Sequence, residues 1–172
     1  MCWSKPMPSA TTEKLMSGIT IRAVRPDDKE RLVTAFKALE PRSIYLRFFS
    51  LKKELSEQEL RRVTECDGLS EVALVATIGG GDQETIVAMG NYVRAGAAAD
   101  IAFAVEEDFQ GRGIAARLLK QLADIARSNG VSQLEADVLA ENTPMLKVFR
   151  KSGLRMSESR SQGIVHATLL LT

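Results

Sequence analysis

Cysteine and histidine are nearly missing: Cys2 and Cys66 are the only cysteines and His166 the only histidine. Neither a disulfide framework nor a Cys/His metal centre can be assembled from so few ligands, so the expectation is a reducing, cytoplasmic setting and no metal. An excess of one charge is missing too. Lys and Arg total 23 against 22 Asp and Glu, and the net charge of +1 supplies no field to gather nucleic acid or anionic lipid, so any polyanion site must be local. Long apolar runs are absent. No window approaches the roughly 20 residues that span a bilayer, and residues 1–17 lack the basic start and apolar stretch of a targeting segment. The chain reads as soluble, with neither nucleic acid nor membrane as a partner, and residues 1–17 as a flexible extension. No internal repeat or low-complexity segment is evident.

What is present suits one packed domain. The chain has 172 residues, 45% of them apolar and 26% charged, enough for a single core and too few for two ordinary ones; that domain is expected over 18–172.

Along the chain, Ile19-Thr20-Ile21-Arg22-Ala23-Val24 alternates at period two and predicts a strand that Arg25-Pro26-Asp27-Asp28 ends. Leu32, Val33, Phe36 and Leu39 then fall at helical spacing, and a second short helix from Pro41 presents Tyr45, Phe48 and Phe49, read as core. Ser56-Glu57-Gln58-Glu59 is a capping box between Leu55 and Leu60, predicting a helix over 57–66. Residues 71–78 and 84–95 read as a hairpin across Gly79-Gly80-Gly81-Asp82; a phosphate cradle at these glycines lacks a helix signal behind it. Residues 99–105 are apolar except for Asp100, as in a strand buried on both faces.

After Phe109-Gln110-Gly111-Arg112-Gly113, the residues Ile114, Leu118, Leu119, Leu122, Ile125 and Ala126 mark one face of a helix that Asn129-Gly130 ends. Leu134, Ala136 and Val138 alternate in the next strand, Thr143 and Pro144 open a helix that Gly153 stops, and 154–172 supplies one or two closing strands. A strand that turns through Gln110-Gly111-Arg112-Gly113-Ile114-Ala115 into a helix aims unpaired N–H groups and the positive end of the helix dipole at one place, which is a pyrophosphate site. Gly111 and Gly113 allow close backbone approach, and Arg112 or Arg117 can add charged donors. A P-loop would need Lys-Ser or Lys-Thr where Ile114-Ala115 stand, and a dinucleotide fold a third glycine near the start of the chain. Both fit poorly.

These residues resemble the coenzyme A loop of the GNAT N-acetyltransferase superfamily, Gln/Arg-x-x-Gly-x-Gly/Ala, at Gln110, Gly113 and Ala115. Val105 at the end of the preceding strand and the segment from Asn142 through Gly153-Leu154 resemble that family as well. The resemblance covers roughly 18–172. It implies an α/β (α+β) fold: a mixed, mostly antiparallel sheet of six to seven strands, split between the fourth and fifth, flanked by about four to five helices. A narrower resemblance, to the acetyltransferase domain of bacterial protein-lysine acetyltransferases, is carried by Arg22-Ala23-Val24-Arg25-Pro26-Asp27-Asp28, Ser43-Ile44-Tyr45-Leu46-Arg47-Phe48-Phe49-Ser50 and Asp100-Ile101-Ala102-Phe103-Ala104-Val105. Those enzymes often carry a regulatory domain, so this chain reads as a free-standing form or an excised piece.

The resemblance implies acetyl-CoA as acyl donor and a primary amine as acceptor, a protein lysine or a small molecule, in a monomer or homodimer. An alkyl amine has a pKa of about 10.4 and must lose a proton before it attacks. Asp100, on an apolar strand beside the cleft, is the candidate base, with its pKa expected to be raised by desolvation. Related lysine acetyltransferases have Glu there, so the shorter Asp implies transfer through a water; a structural Asp is the alternative. Glu106 and Glu107 are fallback bases, and with Asp108 they favour a cationic acceptor. The backbone near Ala104 or Val105, with Phe103 beside it, would polarise the thioester carbonyl. Gln110, Gly111, Arg112, Gly113, Ile114 and Ala115 would hold the diphosphate, and Asn142 the coenzyme arm unless it is only a helix-start Asn. Phe149 stands where many members place a Tyr acid, but a thiol of pKa about 8.5 can leave as the anion. Neither cysteine has a histidine nearby in sequence, which favours direct attack over an acyl-thiol intermediate, and His166 reads as structural. The rival reading is a non-catalytic acyl-CoA sensor or interaction module.

Overall fold

The computed structural model describes residues 18–172. Cys2 and the extension expected over 1–17 lie outside the described residues. Seven strands form one sheet in the order β1-β2-β3-β4-β5-β7-β6. They are β1 (Thr20–Ala23), β2 (Glu71–Ile78), β3 (Thr85–Ala95), β4 (Ala98–Val105), β5 (Gln133–Leu139), β6 (Arg155–Ser161) and β7 (Ile164–Leu170). Five helices flank it: α1 (Lys29–Ala38), α2 (Pro41–Phe48), α3 (Glu57–Thr64), α4 (Ile114–Ser128) and α5 (Thr143–Arg150). Every neighbouring pair is antiparallel except β4 with β5. The mixed, mostly antiparallel sheet and its helices are those expected.

Local chemistry explains the boundaries. Ser56 Oγ accepts from Glu59 N–H (3.1 Å) and the Glu59 carboxylate from Ser56 N–H (2.7 Å), so α3 begins on a complete capping box. The larger core lies under α4 and α5, where Phe103, Leu118, Leu122, Leu134, Phe149 and Val165 meet. Gly90 on β3 makes room for it: a Cβ there would stand 2.8 Å from the Phe103 ring. The smaller core, on the opposite face, joins Leu32 of α1 and Leu60 of α3 to Ala73, Val75 and Ile86 of β2 and β3.

Two expectations are corrected. Tyr45 and Phe49 are not core residues: they are 38% and 37% exposed, and α2 contains no buried residue. Phe48 is half-buried, its ring edge-on to Phe36 at 5.9 Å. The reason is placement: α2 lies over the end of β4, outside both core clusters. Nor is β4 buried on both faces. Ala99, Ile101 and Phe103 are buried, Asp100 is exposed, and Ala102 and Ala104 are half-buried. The smaller core covers β2 and β3 and stops short of β4, which leaves that face of β4 accessible.

The pairing of β4 with β5 determines where a ligand could enter. It is confined to Ala98, Asp100 and the residue between them, opposite 133–135; beyond that rung β4 continues to Val105 and β5 to Leu139 with no bond between them. The sheet forks, with its apex at Asp100.

Candidate active site

The glycine loop connects one arm of the fork to α4. Gly111 and Gly113 adopt φ of +74° and +80°, a left-handed geometry open to glycine at little cost. The first backbone bond of α4 runs from Arg117 N–H to the Gly113 carbonyl (3.1 Å). The amides of residues 111–116 therefore have no partner among the described residues, and they stand at the positive end of a helix of 15 residues. Nothing lies within 4 Å of where a Cβ of either glycine would be, so the surface of the loop is open there. Arg112 does not reach across it: its guanidinium sits 5.0 Å from the centre of the Phe109 ring.

The β4 arm adds further donors. Glu106 N–H donates to the Val87 carbonyl (2.9 Å). By the two-residue alternation of an antiparallel ladder, the N–H groups of Ala104 and Ala102 also point at β3, and those of Phe103 and Val105 point into the fork, whereas that of Ile101 belongs to the last rung with β5. The carbonyl-polarising position expected near Ala104 or Val105 thus narrows to Phe103 and Val105. Gln110 fixes this end by donating from Nε2 to the Val105 carbonyl (2.9 Å) and to Ser43 Oγ (3.3 Å). Its side chain positions the loop instead of pointing into the open space.

The β5 arm ends at α5. Asn142 caps that helix, its Oδ1 accepting a long bond from Met145 N–H (3.4 Å). The helix-start role is real, and it leaves the Asn142 side-chain N–H groups without a described partner. Phe149 is 1% exposed and packs 6.2 Å from the Phe103 ring, and Ile114 is equally enclosed. The side chains of Phe103, Ile114 and Phe149 therefore belong to the core, and only the N–H groups of Phe103 and Ile114 remain to face a ligand.

The family model of the acetyltransferase (GNAT) family matches residues 39–154, from before α2 to the end of α5, including both arms of the fork. The chain belongs to this family. The GNAT domain of S. lividans PAT is 35% identical, with a TM-score of 0.80 over 87% of this chain and 89% of that one. Acetyltransferase Pat of Mycolicibacterium smegmatis is 32% identical over 136 residues, 77% of this chain but 40% of that protein. This chain thus spans about two fifths of that relative. The fold also matches yncA from Salmonella typhimurium, solved with its cofactor acetyl-CoA, at 16% identity and a TM-score of 0.72 over 90% of this chain and 95% of that one.

In this GNAT domain the fork is bridged at its mouth by contacts that sequence reading did not find. Glu40 N–H donates to Glu107 Oε1 (2.9 Å) beside the β4 arm, and Arg42 pairs with Glu141 (3.7 Å) beside the β5 arm. With the Ser43–Gln110 bond they fasten the start of α2 to both arms. The Glu40–Glu107 and Ser43–Gln110 partners are each 67 residues apart, and no local pattern marks such pairs.

Asp100 sits at the apex, in register with Glu135. Its exposure removes the desolvation expected of it, because α2 lies over the other end of β4. On the same face of the neighbouring strands, His166 Nδ1 meets Asp137 (2.7 Å) and its Nε2 lies 4.0 Å from Glu135. The hydrogen bond to Asp137 raises the His166 pKa above the usual imidazole value, with smaller contributions from Glu135 and Asp100. His166 thus sits among the carboxylates of an acidic surface. Across the ladder from Ala102, Asn91 keeps its Oδ1 buried with no partner. Among the described residues no group of three or more His, Cys, Asp or Glu side chains could hold a metal, and no helix is long and apolar enough to cross a membrane.

Proposed function

We propose that this chain is an acetyl-CoA-dependent N-acetyltransferase that acylates a primary amine, a protein lysine or a small molecule, by direct attack in a ternary complex. The observation that carries this reading is the run of unpartnered amides at 111–116, heading α4 beside the fork. Donors so arranged suit a diphosphate. The fork then gives the thiol-bearing arm a path between β4 and β5, past the free N–H groups of Phe103 and Val105 and toward Asn142.

In the reaction the amine nitrogen forms a bond to the thioester carbonyl carbon and the carbon–sulfur bond breaks. The oxygen takes up negative charge, and the cleft-facing N–H groups of Phe103 and Val105 are the donors placed to stabilise it. The ammonium proton passes to Asp100 through water, as the exposure of that carboxylate requires. The thiolate leaves without help from Phe149, and the second proton that the nitrogen sheds on collapse reaches it through solvent. Asn91 Oδ1, on the same face as Asp100, is an acceptor in want of an N–H.

The exposed Asp100 and the enclosed Phe149 also suit a non-catalytic acyl-CoA sensor. Two measurements separate the readings. Calorimetric titration with coenzyme A is expected to give saturable heat, and acetyl-CoA is expected to release thiol when lysine peptides or small amines are added. Binding without amine-dependent thiol release favours the sensor; no binding removes both.

A further inference from the structure

A primary ammonium, with a pKa of about 10.4, gives up its proton reluctantly, and a carboxylate, ordinarily at about 4, is a weak acceptor for it. A base works best when its own pKa lies near the working pH. His166 is the only histidine of the chain, and imidazole is the side chain whose ordinary pKa falls in that range.

The sheet brings His166 beside the fork. On β5 the residues paired with β4 end at Glu135, and the next residue on that face, Asp137, already belongs to the open arm. Asp137 and His166 stand opposite each other on β5 and β7, with His166 Nδ1 at 2.7 Å from Asp137 Oδ1. A carboxylate only accepts, so Nδ1 carries the proton and the neutral ring keeps Nε2 as its acceptor. Nε2 is 4.0 Å from Glu135 Oε2, too far for a hydrogen bond, and Glu135 Oε1 is occupied by Gln133 Nε2 (2.6 Å). The lone pair of Nε2 is therefore unengaged, on a side chain 44% exposed to water. Glu135 is in turn level with Asp100, and neighbouring strands lie only about 4.8 Å apart. Asp100, Glu135 and the His166 ring thus follow one another across β4, β5 and β7 on one face. Asp137 and Glu135 of β5 and Asp100 of β4 are the ionisable groups that face the ring; β6 places the neutral Ser159 opposite it. Asp137, through its hydrogen bond, does most to raise the His166 pKa.

We propose that His166, oriented by Asp137, is the terminal proton acceptor of the reaction, receiving past Glu135 and through water the proton that Asp100 takes from the ammonium. This inference rests on the acetyltransferase reading. The N–H bond of the ammonium breaks and its electron pair stays on nitrogen, which is then free to attack. The proton moves by way of Asp100 to Nε2, the ring becomes an imidazolium facing Asp137 and Glu135, and solvent takes that proton before the next turnover. Asp137 is a positioning residue. A His–Asp pair that only braced the sheet would leave the pH dependence of turnover where it is.

Thiol release by the full chain from acetyl-CoA, with a lysine peptide or a small amine as acceptor, tests this across pH. The kcat/KM for the amine is expected to rise along two limbs, one at the amine's own pKa of about 10.4 and one as His166 loses its proton. With a single histidine in the chain, proton NMR of the acetyl-CoA complex reads the His166 pKa directly, and the lower limb is expected to coincide with it. His166→Gln is expected to abolish that limb and to lower kcat about tenfold, short of the ~10²-fold of a direct base because Asp100 and water remain. Asp137→Asn is expected to move the limb to lower pH, since it removes the bond that raises the imidazole pKa. The coenzyme A dissociation constant is expected to stay unchanged in both variants. A wild type with no lower limb, or with one displaced from the NMR value, overturns the proposal whether or not the variants fold. A limb that survives His166→Gln or stays in place in Asp137→Asn overturns it too, and leaves the acetyltransferase reading standing. No thiol release with any amine at any pH removes both.

Discussion

Asp28 shows how much one carboxylate can organise. Its side chain is fully enclosed and accepts from Arg22 Nη1 (2.7 Å), Arg22 Nη2 (2.8 Å) and Arg25 N–H (2.7 Å), while Arg22 Nε reaches Glu84 (2.8 Å). One knot thus joins β1, the turn into α1 and the start of β3. Burial alone would push the Asp28 carboxyl up, but the bonds from Arg22 and Arg25 N–H outweigh it and hold the pKa below the usual carboxylate range. A lowered native pKa means that this stabilisation is present above the unfolded value of about 3.9 and is lost as pH falls through the lower native one. Asp28→Asn is expected to cost about 3 kcal/mol, the low end for breaking a buried pair because Arg22 keeps Glu84. Urea melts at neutral pH read that loss; a change under about 1 kcal/mol refutes the role given to the knot. Sequence reading placed Asp28 at a helix start but not in this knot, because Glu84 is distant in the chain.

Asp100 is the residue on which the chemistry turns. The apolar letters around it suggested a desolvated acid, and the fold leaves it exposed at the apex of the fork. Asp100→Ala is therefore expected to lower kcat at saturating acetyl-CoA by about 10²-fold, the lower end for a general base, with the dissociation constant of acetyl-CoA within about twofold of wild type. Unchanged turnover would transfer the proton to another group, with Glu135, in register with Asp100, the nearest carboxylate.

Elements were legible where their signals are local. The capping box of α3, the apolar stripe of α4 and the glycines ahead of it are each written within a few residues, and each appears where expected. The direction of the β4 amides was not legible, since it depends on which carbonyls of β3 the strand meets. The same holds for α2, whose aromatic spacing suits a buried helix but whose position is fixed by contacts to both arms of the fork. Gly113→Glu tests the α4 terminus as an element. The left-handed backbone disfavours any side chain there, and the added carboxylate would face the amides meant for phosphate. Calorimetry is expected to show coenzyme A binding weakened by at least about 100-fold, a loss of about 2.7 kcal/mol, with circular dichroism showing the fold retained. Undiminished binding would remove α4 as the diphosphate site.

Across the whole molecule, the half of the sheet left uncovered by α1 and α3 carries Asp100, Glu135, Asp137 and His166 on three strands. A raised His166 pKa means that its contribution is fully present below about pH 6.5 and is lost as pH rises through the higher native value. The melting temperature of the wild type is expected to fall, relative to His166→Gln, as pH rises from below about 6.5 through the higher native value. The effect is under about 1 kcal/mol because the pair is partly exposed. Melting curves for the two proteins that stay parallel with pH would show the pair to be energetically silent.

The sequence by itself determined the order of strands and helices, the loop that heads α4 and the family, because helix caps, periodicity and a glycine loop act over one or two turns of chain. How far β4 and β5 pair, which face of β4 is exposed and what fastens α2 to the two arms were settled only in three dimensions. Those depend on groups brought together from dozens of residues apart, and a side chain's solvation is fixed by what packs over it, not by its neighbours in the chain.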